Sequence, residues 1–322
     1  MKKIYDVSRF LLKCLLIPAA AILIIYCLNK PYRRINEQKY LDITKFWFFE
    51  DNEYTQIKVG NLGSSHGAYD FNYESLTERG YECFNFANTS QSYDYDFAVL
   101  KEYVHFMDED SIMLIPVSYF SFNNEVVNET EAEAMSLRYY HFLSPENIPN
   151  YDPYIDITTN KLPILSAGED ILKLFPNLKL SIIALAAEDN EIDMEEFTRR
   201  AQERYSRHFD NKEEYFLPER IQNLYDIIHY CKEYDITPIL ITTPFSSYYQ
   251  NLVPESFLQE FQKTVTAIAS DTGVEYYDYS CDERFRDNLE YFMDADHLTE
   301  EGAAYFMEVL ISEVPKMHQL VE

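Results

Sequence analysis

Two short stretches carry residue types that could do chemistry together. The first is Asn61-Leu62-Gly63-Ser64-Ser65-His66-Gly67. The chain has only seven glycines in 322 residues, and Gly60, Gly63 and Gly67 fall in or beside this stretch. Glycine goes where φ must be positive or where backbone must come close to something. A glycine-poor chain that gathers three of them around two serines is building a tight, exposed turn. Such a turn presents a serine hydroxyl with free backbone N–H groups beside it. That hydroxyl is a weak nucleophile at neutral pH and needs a base, itself oriented by an acid. The second stretch, Asp294-Ala295-Asp296-His297, supplies both. Asp294 and His297 are three apart, so in a turn-like conformation they lie on one side. Asp296 is adjacent to His297 and is expected to face elsewhere. The chemistry predicted is acyl transfer, with Ser65 as nucleophile, His297 as base and Asp294 as the orienting acid.

Each motif alone has a plainer reading, a serine-rich turn or a helix-capping histidine. His66 neighbours Ser65, but adjacent side chains diverge, which leaves it a surface or supporting role. His105, His141, His208, His229 and His318 lack paired ligands. No metal site and no cofactor are therefore expected.

These residues need elements to hold them. Ile57 to Leu62 reads as a buried strand leading into the serine turn. Gly80 to Phe86 reads as a second strand, followed by a polar loop, Ala87 to Ser92. Tyr95 to Met107 has helical spacing. Ser111 to Val117 is a continuous apolar run, as in a strand buried on both faces, with Pro116 at its end. From about Tyr119 to Tyr215 the rhythm breaks. Acidic helical segments (Glu129 to Tyr140, Glu195 to Arg207) flank a Pro- and Asn-rich stretch, and 119–215 reads as an insertion or cap. The alternation then resumes: helix 219–234, strand 236–242 ending at Pro244, helix 257–270 and strand 274–278. After the Asp-x-x-His turn, Thr299 can cap a last helix with Glu300 and Glu301 in its first turn. Strands alternating with helices predict an α/β protein with a parallel sheet covered on both faces. Ligands in such sheets bind at strand carboxyl ends. Ser65, the Asn88 loop, the Ser118 region, Pro244 and the Asp294/His297 turn all fall there.

With Gly63-Ser64-Ser65 after the first strand and Asp294-Ala295-Asp296-His297 near the C-terminus, the chain resembles the SGNH (GDSL-like) hydrolase and acyltransferase superfamily. The resemblance covers roughly residues 56–122 and 216–312. It implies a three-layer α/β/α sandwich of flavodoxin-like type and a Ser65–His297–Asp294 triad. It also implies oxyanion donors from two further blocks, a glycine N–H and the side chain of a Gly-x-Asn-Asp motif. Here the second block offers Asn88, Thr89, Ser90 and Gln91 without glycine, and the third strand ends Pro116-Val117-Ser118-Tyr119 without Gly-x-Asn-Asp. Asn88 is the expected substitute donor, with Ser90 and Gln91 as neighbouring binding residues; the plainer reading is that Asn88 and Gln91 only organise their loop. These departures, with the N-terminal apolar segment, are similar to the branch containing the lipoteichoic acid D-alanyl transfer protein and alginate acetyltransferase-like proteins. That likeness implies a multi-spanning membrane acyltransferase as partner.

Residues 10–28, FLLKCLLIPAAAILIIYCL, are nearly continuously apolar. A span needs ~20 apolar residues, with ~17 as the lower limit, so this stretch can anchor the chain, Lys13 snorkelling at one end. A cleaved signal peptide is the alternative, but no small-residue cleavage site follows the run. Basic residues flank both sides, so orientation is not set by charge. By analogy with anchored members of the branch, the catalytic domain is expected outside the cytoplasm of a single-pass protein. Residues 1–9 form a short tail. Residues 29–55, with the Phe46-Trp47-Phe48-Phe49 cluster, read as a juxtamembrane segment whose aromatics sit at the membrane interface or pack on the domain. The remainder, 56–322, is the catalytic domain.

The formal charge is -28, which excludes a nucleic-acid partner, because phosphate binding needs clustered Lys and Arg. Five scattered cysteines without Cys-x-x-Cys exclude zinc and thioredoxin-like chemistry. Three functions follow: an acyltransferase acting on a cell-envelope glycan or polyol hydroxyl, an esterase with the same triad, or an idle envelope protein that binds glycan in the cleft.

Overall fold

Strands form where the apolar runs predict them. In a computed structural model describing residues 2–37, 41–123, 136–174, 194–210 and 214–321, β1 (Ile57–Asn61), β2 (Cys83–Asn85), β3 (Met107–Pro116), β4 (Thr237–Thr242) and β5 (Glu275–Asp278) build one sheet. All pairings are parallel and the order is β2-β1-β3-β4-β5. This is the flavodoxin-like doubly wound order, whose direction of winding reverses between β1 and β3. Val59, Leu114, Ile115, Ile239, Leu240 and Ile241 are wholly buried, as both-face burial requires.

Helices α2 (Ser65–Tyr69) and α3 (Glu74–Glu78) follow β1, α4 (Tyr93–Tyr103) follows β2, α5 (Met194–Phe209) and α6 (Pro218–Glu233) precede β4, α7 (Glu255–Thr272) follows it, and α8 (Glu300–Glu313) follows β5. Right-handed crossovers put the helix of the β1–β2 connection on one face and those of the later connections on the other. Packing agrees: α4 touches α6 and α6 touches α7, whereas α3 touches α8. The expected three-layer arrangement is thus present.

Strand β3 begins four residues earlier than its apolar run suggests, at Met107. Met107 pairs with Ile57, and Asp108, Glu109 and Asp110 form an irregularity before the regular pairing resumes at Val59 and Ile112; Lys58 Nζ lies 3.3 Å from Asp108 Oδ2. Strand pairing depends on backbone and so outruns the hydrophobic signal. Proline at 31 does not end the N-terminal helix either. Helix α1 runs Lys2–Glu37 through Pro18 and Pro31, so it extends past 10–28 into the predicted juxtamembrane segment. Its Lys13–Glu37 part is long and apolar enough to cross a membrane, and Leu15, Ile17 and Tyr26 are exposed.

The described residues fall into two compact units. One holds 2–37, 41–47, 136–146 and 150–174; the other holds the sheet, with 48–123, 147–149, 194–210 and 214–321. The predicted insertion is therefore divided. In the first unit, Asn29 Nδ2 donates to Lys161 O at 2.7 Å, and Phe46 stacks on Phe142 with ring centres 4.1 Å apart. In the second, Phe49 packs on Phe84, Tyr103 and Phe106. Phe46 and Phe49 are thus core residues of their units. The first part of the predicted acidic helix Glu129 to Tyr140 lies outside the described residues; the second acidic helix is α5.

Candidate active site

The serine turn is built by backbone contacts that only glycine permits. Gly63 has φ of 119°, a conformation side chains avoid. A Cβ on Gly67 would collide with Leu62 O and lie 2.6 Å from Ala87 Cβ. Asn61 fastens the same turn: its Nδ2 donates to Leu62 O at 3.0 Å and Gly67 O at 2.8 Å, and its Oδ1 accepts from Tyr73 O–H at 2.8 Å. Gly63 N–H donates to Asp96 Oδ1 at 2.7 Å. Ser65 then opens α2, where first-turn N–H groups have no intrahelical acceptor.

The base is held as firmly. Phe292 and Leu298 form an antiparallel bridge, and Met293 N–H donates to His297 O at 3.0 Å, closing the Asp-x-x-His stretch into a loop. Ser246 Oγ, after β4, donates to Ala295 O at 2.6 Å. Leu298 N–H donates to Asp70 Oδ1 at 2.9 Å, which ties this loop to the end of α2. Thr299 caps α8 as expected, accepting from Gly302 N–H at 3.1 Å.

These anchors bring Ser65, His297 and Asp294 together. His297 Nε2 lies 2.8 Å from Ser65 Oγ. Its Nδ1 lies 2.9 and 2.8 Å from the two Asp294 oxygens. With Nδ1–H donating to the carboxylate, Nε2 is left as the acceptor facing the serine hydroxyl, the arrangement a general base needs. Asp294 Oδ1 also accepts from the N–H groups of Asp296 and His297 at 3.1 and 2.9 Å. Burial pushes the pKa of His297 down, but Asp296 and Asp294 outweigh it and the net position is above histidine's ordinary value.

Asp296, expected to face away from His297, instead lies beside it. It is fully buried, with Oδ1 3.6 Å from His297 Nδ1. Its main partner is Arg204 on α5, through Nε to Oδ1 at 2.8 Å and Nη2 to Oδ2 at 2.9 Å. Burial would raise its pKa, but His297, His66 and Arg204 hold it well below the carboxylate range. Arg204 Nη2 is also 3.3 Å from His297 Nε2.

His66 is not at the surface but wholly buried. Its Nδ1 is 2.5 Å from Ser118 Oγ and its Nε2 3.3 Å from Asp296 Oδ2. This second Ser–His–Asp string supports Asp296; Ser118 is buried and not on the cavity wall. His66, Asp296 and His297 could group around a metal ion, but the Arg204 guanidinium already supplies the cation beside Asp296, and His297 Nε2 faces Ser65.

A cavity of about 310 Å³ opens over the triad, walled by Ser64, Ser65, Tyr69, Thr89, Ser90, Phe120, Arg204, Arg207, Met293, Asp294 and His297. Of the second-block residues, Ser90 reaches this wall, at a φ of 53°. Asn88 and Gln91 do not: Asn88 is buried and its Nδ2 donates to Gln91 Oε1 at 2.7 Å. Gln91 Nε2 in turn donates to Asp96 Oδ1 at 2.7 Å. Both organise the loop, because their amides are used within it. Arg204, Arg207 and Phe120 escaped the sequence reading. They lie in the stretch read as an insertion, and the one available signal was a second carboxylate, Asp296, with no assigned partner.

No family model and no curated protein matches this chain. Among solved structures it is similar to a candidate platelet activating factor from Streptococcus pneumonia, at 11% identity and a TM-score of 0.43, covering 91% of this chain and 98% of that one. It is also similar to a lipase/acylhydrolase from Enterococcus faecalis, at 11% identity and 0.38, covering 80% and 95%. A GDSL-like lipase from Bacteroides thetaiotaomicron gives 12% identity and 0.38, covering 85% and 97%.

Proposed function

We propose that this chain is a serine acyl-transfer enzyme of the SGNH kind, with Ser65 as nucleophile, His297 as general base and acid, and Asp294 as the group that orients the imidazole. The observation that carries this reading is the continuous path Asp294–His297–Ser65, with heavy-atom distances of 2.8 Å on each side of the ring. In the first half-reaction, Ser65 Oγ bonds to the carbonyl carbon of an ester or thioester while its proton passes to His297 Nε2. The tetrahedral oxyanion is met by the Ser65 N–H at the start of α2. Collapse breaks the bond to the leaving alcohol or thiol, which takes the proton from His297. In the second half-reaction an acceptor hydroxyl attacks the acyl-serine carbonyl and gives its proton to His297; collapse breaks the Ser65 Oγ–acyl bond, His297 returns the proton to Ser65 Oγ, and the acceptor leaves with the acyl group.

The preferred acceptor is a hydroxyl of a cell-envelope glycan or polyol. Support comes from the apolar part of α1, which suits a membrane anchor, and from the branch that the motifs resemble; a multi-spanning acyltransferase would supply the acyl group. The catalytic domain then faces away from the cytoplasm. One observation favours plain hydrolysis as the second reading: Ser65 is only half-buried, so water can reach the acyl-serine. The idle-protein reading has no support in the geometry, since an idle cleft gives no reason to keep three groups in relay order.

The test is treatment of the full chain in neutral detergent with a serine-reactive fluorophosphonate and with 4-nitrophenyl acetate, beside Ser65→Ala and His297→Ala. Labelling and acetate release that vanish in both variants are expected. A folded protein that neither labels nor releases nitrophenolate rejects the enzymatic reading.

A further inference from the structure

Helix α5 carries four arginines, and their partners differ. Arg199 pairs with Glu196 and Glu203, and Arg200 with Glu196. Arg204 pairs with the buried Asp296. Arg207 is exposed, has no ion pair among the described residues, and stands on the wall of the cavity that holds Ser65. It lies three residues after Arg204, hence on the same helix face. Of the other ionisable groups on that wall, Arg204 is paired with Asp296, and Asp294 is hydrogen-bonded to Nδ1 of His297.

We infer that Arg207 is the recognition residue for a carboxylate or phosphate group carried by the substrate of Ser65. This rests on the serine-enzyme reading above and names the substrate class for it. The physical argument is one of local against global charge. A chain with formal charge -28 repels anions at long range. An anionic ester can settle beside Ser65 only if the cleft offers an uncompensated cation, and Arg207 is that cation. Its planar fork binds carboxylate or phosphate oxygens in pairs, which a lysine cannot do. The cavity, about 310 Å³, lies at the small end of ligand sites, so an anionic group on either side of the scissile ester stays within its walls.

The experiment compares esters matched in size but not in charge, using the full chain in neutral detergent. One arm places the anion on the acyl side: 4-nitrophenyl hydrogen adipate against 4-nitrophenyl hexanoate. The other places it on the alcohol side: acetylglycerol phosphate against monoacetylglycerol. The readout is the ratio of kcat/KM for the anionic to the neutral ester. A ratio about tenfold in favour of the anion is expected in at least one arm, a difference of ~1.4 kcal/mol. It should fall towards one in Arg207→Gln, survive in part in Arg207→Lys, and shrink with added salt. Turnover without such a preference, or a preference kept by Arg207→Gln, overturns the inference while leaving the serine-enzyme reading intact. Should the wild type neither turn over nor label with fluorophosphonate, that reading fails by itself and binding decides the inference. Calorimetric titration of Ser65→Ala with hydrogen adipate ester should then give an affinity at least fivefold weaker after Arg207→Gln; equal affinities overturn it.

Discussion

Arg204 and Asp296, 92 residues apart, meet through two parallel hydrogen bonds of 2.8 and 2.9 Å. This pair fixes α5 to the loop that carries the base, and places a guanidinium nitrogen 3.3 Å from His297 Nε2. Asp296 is fully buried, so its charge exists only because cations and ring N–H groups surround it. Removing one member of a buried pair leaves the other uncompensated, at a typical cost of about 3–5 kcal/mol. Arg204→Met should therefore lower the urea-unfolding free energy by ~3 kcal/mol, and Arg204→Met with Asp296→Asn should regain much of it. Additive losses in that double-mutant cycle would show that the pair is not coupled.

The imidazole of His297 works as a base only when neutral. Its folded-state pKa is raised, because Asp296 and Asp294 outweigh burial. The acid limb of kcat/KM against pH should thus have its midpoint above the ordinary histidine value of ~6.5. Arg204 opposes this rise, so Arg204→Met should move the limb to still higher pH. The same shift contributes stability that is complete below ~6.5 and lost as pH climbs through the folded-state pKa. A pH–rate series on wild type and variant checks both signs; a limb that stays at or below the ordinary value contradicts them.

Asp96 accepts from Gly63 N–H and from Gln91 Nε2 beneath the serine turn. Burial pushes its pKa up to about 7. A carboxyl with a raised pKa is most compatible with the fold when protonated, so stability should be greatest below ~3.8 for this group and fall as pH rises to about 7. Asp96→Asn keeps the oxygen that accepts both bonds and cannot ionise. Thermal unfolding at pH 5 and pH 8 should show a smaller drop in Tm for Asp96→Asn than for wild type. An equal drop would mean that other groups set the pH dependence.

Gly67 has no room for a side chain: a Cβ there would run into Leu62 O and stand 2.6 Å from Ala87 Cβ. Both obstacles belong to the turn that aims Ser65 and the loop beside it. Gly67→Ala should cost ~1–3 kcal/mol, as overpacking does, and should lower kcat more than KM because the nucleophile moves. Chemical denaturation and steady-state kinetics separate the two effects; wild-type kcat in a destabilised protein would show that the turn tolerates the shift.

Residue order and hydrophobic pattern by themselves determined the α/β class, the five strands, the helices that follow β2, β4 and β5 or precede β4, and the apolar N-terminal helix, but not α2 and α3 between β1 and β2. Those signals are local: a buried strand must be apolar along its length, and Thr299 must cap a helix whose first turn is acidic. Ser65, Asp294 and His297 were legible for a related reason, since each motif is compact and sits where a parallel sheet puts its ligands. Tertiary structure decided what joins residues far apart in the chain. It assigned Asp296 to Arg204, buried His66 between Ser118 and Asp296, and turned Asn88 and Gln91 inward while Ser90 faced the cavity. It also divided the 119–215 stretch between two units, so that α5 delivers Arg204 and Arg207 to Ser65. No spacing rule encodes such meetings: a buried carboxylate demands a cation, but which of the many arginines answers depends on how the helices pack.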